Sequence, residues 1–139
     1  MSVFSNLFGS SEKQDNSNSK INWILLTELG QLNEIISVSN EQAVVIFKHS
    51  TRCIVSRTAL KQFENEFDAA TFQVNVSMYF LDLLAHRDIS NEIASRFGVH
   101  HQSPQLLLIK GGKSVYDVSH SDIDAGELKT KVYSIFIIF

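Results

Sequence analysis

A chain of 139 residues, 44% hydrophobic and 19% charged, is long enough for one domain with a real core and has an ordinary globular composition. Its formal net charge of −3 gives no general electrostatic ground for binding nucleic acid or an anionic membrane. A single cysteine, Cys53, excludes an internal disulfide framework and any metal site built on cysteine pairs, and it suits a reducing, cytoplasmic setting.

The opening MSVFSNLFG lacks the basic region and long apolar run of a secretory leader. Residues 9–20, GSSEKQDNSNSK, are small and polar with nothing to bury, so residues 1–20 are read as a flexible N-terminal tail. The folded domain is expected over residues 21–139, with no internal repeat. Asn22–Leu26 reads as a short strand. Thr27 is placed to cap a helix carrying Leu29, Leu32, Ile35 and Ile36 on one face. Ala43–Phe47, AVVIF, is a continuous apolar, mostly β-branched run that predicts a buried strand.

After the polar loop KHSTR, a helix is expected from Ile54, with Ala59, Leu60, Phe63 and Phe67 at three-and-four spacing. Another strand falls within 74–83. Asp88 is placed to cap a third helix with Ile89, Ile93 and Phe97 on one stripe, and Gly98 is its natural stop. Gln105–Ile109 and Lys113–Val118 read as strands joined by a tight turn at Gly111–Gly112. Asp124 as N-cap and Glu127 at N3 make a capping box, and Ile123 and Leu128 sit where a hydrophobic staple needs them. Leu128, Val132 and Ile135 continue that helix's buried stripe. The end, YSIFIIF, is too short to span a bilayer and reads as the buried end of the last element.

The element order is therefore β-α-β-α-β-α-β-β-α. The middle βαβ unit demands a parallel pair, and the closing ββ unit is an antiparallel hairpin. Together they predict an α/β protein of the thioredoxin-like, three-layer kind: a mixed central sheet with helices on both faces.

In that plan Cys53 lies just past the end of a buried strand and just before a helix, where open α/β sheets place their sites. Free N–H groups and the helix dipole favour an anion there, and the thiolate is the reactive form of cysteine. Arg52 adds positive charge, and Thr51 shares the loop. Ser56, at the second cysteine's position in a Cys-x-x-Cys motif, is placed to hydrogen-bond the sulfur. An inert, buried cysteine is the competing reading, opposed by polar neighbours and by the strand-to-helix junction. Pro104 is the only proline in the chain. It directly precedes an apolar strand; an ordinary trans proline opening a strand is one reading, and a cis Ser103–Pro104 bond marking a turn beside Cys53 is the other. The Ser103 backbone would then be open to pair with an extended substrate segment.

The segments VVIFKHSTRC-x-x-S, RDISNEIASRFGVHHQSPQ and, more loosely, SVYDVSHSDI resemble the monothiol bacilliredoxins, over roughly residues 22–130. The resemblance implies a thioredoxin fold, a nucleophile at Cys53 and a cis-proline at Pro104. It also implies removal of a low-molecular-weight thiol, bacillithiol, from mixed disulfides on S-thiolated client proteins. That thiol is a co-substrate; no bound cofactor, no metal, no nucleic acid and no membrane are implied. One departure stands out: the family's motif has proline directly after the cysteine, and here Ile54 stands there. Proline at the first helical position pre-sets the turn, whereas Ile54 restores an N–H and puts a bulky side chain at the mouth. The fold is expected to survive this change; the rate of reaction depends on it.

His101 matches the family's position and is the favoured histidine for tuning the thiolate or holding the small thiol's carboxylates. His49 is expected at the rim, His100 flanks the proline turn beside His101, and His120, which also matches the family, begins the last connection; for each of these histidines a surface or packing role is the competing and favoured reading. Lys48 and Arg52 are further candidates for attracting an anionic thiol. Two rival functions are a non-catalytic binding module built on an impaired site and an iron–sulfur carrier. The carrier reading is disfavoured because Cys-Ile-Val-Ser is not the Cys-Gly-Phe-Ser of monothiol glutaredoxins.

Overall fold

The computed structural model describes residues 21–67 and 75–137, with the side chains of residues 136 and 137 left aside. The elements in chain order are β1 (Trp23–Leu25), α1 (Gln31–Val38), β2 (Ala43–His49), α2 (Ile54–Glu66), β3 (Val76–Asp82), α3 (Arg87–Phe97), β4 (Gln105–Lys110), β5 (Lys113–Ser119), a 3-10 turn (His120–Asp122) and α4 (Ala125–Ile137). This is the order expected from the sequence. The tail assigned to residues 1–20 and the last two residues lie outside the described residues.

The strands form one five-stranded sheet in the order β1-β3-β2-β4-β5. β2 and β1 both run parallel to β3, while β4 is antiparallel to β2 and to β5. Successive side chains of a strand point to opposite faces, and the core divides accordingly. Ala43, Val45 and Phe47 of β2 and Leu106 and Leu108 of β4 pack with Ala59, Phe63 and Phe67 of the α2 segment and Leu128 and Val132 of α4. Val44, Ile46, Leu107 and Ile109 pack with Leu32 and Ile35 of α1 and Ile89 and Ile93 of α3. The helices therefore lie in two pairs on the two faces, and β2 is buried along its whole length because both of its faces are covered.

Several local signals act as the sequence suggests. Gly111 and Gly112 both have positive φ, 62° and 76°, the pair of left-handed residues that a tight hairpin turn requires. Gly98 ends α3 at φ 64°. Asp124 Oδ1 accepts from the Gly126 and Glu127 N–H groups at 2.7 and 3.1 Å, capping α4, with Ile123 and Leu128 both buried.

Two helix starts differ from the sequence reading. Thr27 does not cap α1, which begins at Gln31 with Gly30 as N-cap. The Gln31 side-chain oxygen instead accepts from the Thr27 and Glu28 N–H groups, holding residues 27–30 as a turn and leaving Leu29 45% exposed. α3 begins at Arg87 with His86 as N-cap, so Asp88 lies inside its first turn rather than before it. On β5 the core-facing residues include Tyr116 and Val118, whereas Val115 is exposed on the other side of this edge strand.

Candidate active site

The site is assembled at the carboxyl end of β2. Cys53 is the N-cap residue of α2, in extended conformation at φ −99°, ψ 123°. Its N–H donates to the Ser50 carbonyl at 3.2 Å and its carbonyl accepts from the Arg57 N–H at 3.0 Å, so the loop enters the helix as a fixed turn. The thiol is partly exposed. Helix α2 is anchored behind it by aromatic packing, with Phe47 and Phe63 ring centroids 5.6 Å apart and Phe63 and Phe67 5.8 Å apart.

The Ser103–Pro104 peptide bond is cis, as the family resemblance implied. β2 and β4 pair antiparallel as far as Lys48 opposite Gln105. Continued two steps past its last pair, that register would set Pro104 against His49 and Ser103 against Ser50, at the start of the cysteine loop. The Pro104 carbonyl accepts from the His120 N–H at 3.0 Å. His120, in left-handed backbone at φ 55°, thus braces the proline turn through its main chain, and its side chain is exposed. The Ser103 backbone makes no hydrogen bond among the described residues, and its hydroxyl is buried without a partner. Thr51 and Arg52 are exposed at the mouth. The Thr51 carbonyl accepts from the Arg57 guanidinium at 3.1 Å. Ile54 and Val55 are 68% and 45% exposed, giving the mouth an apolar lip.

Ser56 is fully buried, and its hydroxyl is engaged away from the sulfur. It accepts from the Ser50 N–H at 3.0 Å and lies 2.7 Å from His49 Nδ1. No hydrogen bond joins it to Cys53 among the described residues. His49 is not a rim residue: it is buried beneath the cysteine loop, with its ring 5.4 Å from that of Phe80. Burial holds its imidazole below the ordinary range; the Asp82 carboxylate pulls the other way and Arg57 adds to the lowering.

Lys48, one residue earlier, points to the opposite face and is fully buried. Its ammonium lies 2.7 Å from His101 Nδ1, which also sits 3.4 Å from Ser90 Oγ. Burial lowers Lys48 to about 8. His101 is lowered by burial, then by the Lys48 ammonium, His100 and Arg87. Since an ammonium only donates, Nδ1 of His101 is its acceptor, and the imidazole carries its proton on Nε2. His101 itself is exposed, while its partner Lys48 is fully buried. Gln105 completes this side, buried, with its amide donating to the His100 carbonyl at 3.0 Å.

Sequence reasoning singled out Cys53, Pro104 and His101 as candidates but missed that Ser56 pairs with His49 and that Lys48 pairs with His101. The available signal was strand alternation: adjacent Lys48 and His49 at the end of a buried strand must enter opposite layers. Among the described residues no group of three His, Cys, Asp or Glu side chains is placed to hold a metal ion, and no helix is long and apolar enough to cross a membrane.

The fold and a half-buried cysteine at a helix N-terminus beside a cis-proline define a thioredoxin-fold thiol redox protein. Solved structures agree on the fold. The chain is similar to one described as a candidate oxidoreductase with a thioredoxin fold, at 29% identity and TM-score 0.65, covering 78% of this chain and 91% of that one. It is also similar to thioredoxin from Trypanosoma brucei brucei, at 19% identity and TM-score 0.61, covering 91% and 99%. Thioredoxin O2 from Arabidopsis thaliana in its oxidised state matches at 17% identity and TM-score 0.60, covering 82% and 94%. Residues 24–128 match the family model of the monothiol bacilliredoxin BrxC, and the chain belongs to that family.

Proposed function

We propose that this protein removes a low-molecular-weight thiol, of the bacillithiol kind, from mixed disulfides on client proteins, with Cys53 as the nucleophile. The observation that carries the reading is the placement of the chain's only cysteine as the half-buried N-cap of α2, beside the Ser103–Pro104 turn. The Cys53 thiolate attacks the sulfur of the small thiol in the client's mixed disulfide. The client's thiolate leaves, and Cys53 carries the small thiol in a new disulfide. With no second cysteine in the chain, a second molecule of small thiol reduces that adduct, giving the symmetric small-thiol disulfide and restoring Cys53. Each step exchanges one disulfide for another and is balanced in electrons.

Ser103 offers unpaired backbone to an extended client segment, and the lip formed by Ile54 and Val55 offers it apolar contact. Arg52 and Thr51 line the approach. The His101 Nε2–H, backed by the buried Lys48 ammonium, suits a carboxylate of the small thiol. The protein acts without a bound cofactor, in a reducing cytoplasm.

Exposure to a bacillithiol mixed disulfide, followed by intact-mass measurement, tests this. One adduct is expected, absent in Cys53→Ser and released by excess free thiol. If Cys53 forms no adduct under conditions where a denatured control does, the site is inactive. The exposed Ile54–Val55 lip would then support the second reading, a thioredoxin-fold binding module.

A further inference from the structure

Lys48 is a fully buried cation, and no carboxylate pairs with it among the described residues. A buried charge is costly unless a well-placed partner receives it. The partner here is an imidazole nitrogen, His101 Nδ1, at 2.7 Å. Lowered to about 8, Lys48 is still mostly protonated at neutral pH. An ammonium can only donate, so Nδ1 accepts and the proton of a neutral His101 sits on Nε2. The ring is tied on the Nδ1 side alone, where Ser90 Oγ lies 3.4 Å away. Nε2 makes no hydrogen bond among the described residues, and His101 is exposed.

The surroundings of this imidazole carry one sign. Beyond burial, the groups that lower it are Lys48, His100 and Arg87, all basic. Arg87 and His100 are exposed, and neither forms an ion pair among the described residues. Helix spacing brings Arg87 to this place. It precedes Ser90 by three residues in the first turn of α3, so the two share a face, and Ser90 is the residue that reaches His101. Asp88 lies about 100° further round the helix and is not among the groups acting on the ring. A free N–H donor, polarised from behind by a buried ammonium and flanked by exposed basic side chains, suits an anion.

We infer that Lys48 is a positioning residue for a carboxylate site at the surface, holding His101 as an Nε2–H donor to the carboxylate while Arg87 supplies the second charge. The inference deepens the proposed activity and rests on it for the source of the carboxylate, which is either the small thiol or the client. The site itself does not depend on Cys53, because β2, α3 and the loop before β4 carry all of its groups.

The test is binding of succinate to the full chain at neutral pH and constant ionic strength, read from the ring nitrogen and proton NMR signals of His101, which His101→Asn assigns. The native ring is expected as the Nε2–H tautomer, and succinate should shift its signals saturably. Arg87→Gln should weaken succinate about tenfold, the loss of one charge-assisted contact. Lys48→Met, its fold checked by circular dichroism, should leave the two tautomers mixed and weaken succinate by a similar factor, although Lys48 is buried. A role in packing alone would leave tautomer and affinity unchanged in this variant, because methionine keeps the stem. Three results overturn the inference: a native ring protonated on Nδ1, His101 signals that succinate does not move, or equal affinity in native and Lys48→Met chains. Should Lys48→Met not fold, the native tautomer and the Arg87→Gln affinity decide. The source is read from adduct exchange with one client carrying either mercaptosuccinate or mercaptoethanol, and with clients that differ in acidic residues beside the modified cysteine. A KM advantage of mercaptosuccinate that Arg87→Gln removes assigns the carboxylate to the small thiol; an advantage of acidic clients that it removes assigns it to the client. Succinate binding uses neither Cys53 nor a disulfide. Failure of adduct exchange therefore counts against the proposed activity alone, and failure of succinate binding against this site alone.

Discussion

The carboxyl end of β2 sends two adjacent basic residues into opposite layers, and the layers treat them differently. On the α1/α3 side, Lys48 is fully buried against His101, with no carboxylate bonded to it among the described residues. On the α2/α4 side, His49 is buried against Ser56, and Asp82 lies beside it on the neighbouring strand. An ammonium is always a donor, so the Lys48 pair admits one hydrogen arrangement until the lysine deprotonates. An imidazole nitrogen can donate or accept, so the His49 pair admits two. Two pairs with the same 2.7 Å spacing thus set a donor-only ammonium on one face and an imidazole nitrogen that can donate or accept on the other.

The largest break in this comparison comes from emptying the lysine layer. Lys48→Ala removes a fully buried side chain and is expected to lower stability by about 2–4 kcal/mol, read from the denaturant midpoint. Lys48→Met keeps the stem and drops the charge, and is expected to stay within about 1.5 kcal/mol of the native chain. If the two variants are equally damaged, the charge rather than the packing holds that layer.

A second test separates the pairs by pH. Lys48 is lowered from 10.5 to about 8, so between those values the unfolded chain binds the extra proton. Stability is then expected to rise as pH increases through that window, by up to about 3 kcal/mol, as the penalty for burying the charge is relieved. Lys48→Met should flatten this rise. Tyr79 and Tyr116, both raised mainly by burial, act in the opposite sense but are common to both chains, so the difference isolates the lysine. For His49 the lowered value makes stability fall as pH drops below its ordinary 6.5, a slope that His49→Asn should reduce.

Ser56→Ala probes the other layer. It strips a partner from the buried Ser50 N–H and from His49 Nδ1, and a loss of about 1–3 kcal/mol is expected from chemical denaturation. The smallest effect is expected at the mouth. Ile54→Pro restores the proline of the family's motif at the first helical position, where the side chain is 68% exposed. Stability should change by less than about 1 kcal/mol, so any change in adduct exchange rate would report on the mouth and not on the fold.

Local chemistry made much of this molecule legible in the sequence. The element order, the Gly111–Gly112 hairpin, the Asp124 cap and Cys53 before α2 all follow from runs, spacings and residue types a few positions apart. Thr27 was misleading for the same local reason: a good cap residue was outcompeted by the Gln31 side chain, which satisfies the turn's N–H groups first. The polar pairs were decided elsewhere. Lys48 and His101 are 53 residues apart and meet because β4 registers against β2. Ser56 faces His49 rather than Cys53 because a buried imidazole lies beneath the first turn of α2, a neighbour that helix spacing alone does not announce. Sequence determined where the thiol sits, because a strand end and a helix start are local events. Only the tertiary structure decided which buried polar side chains pair around it, because that depends on which side chains two faces of one sheet bring within a hydrogen bond's reach.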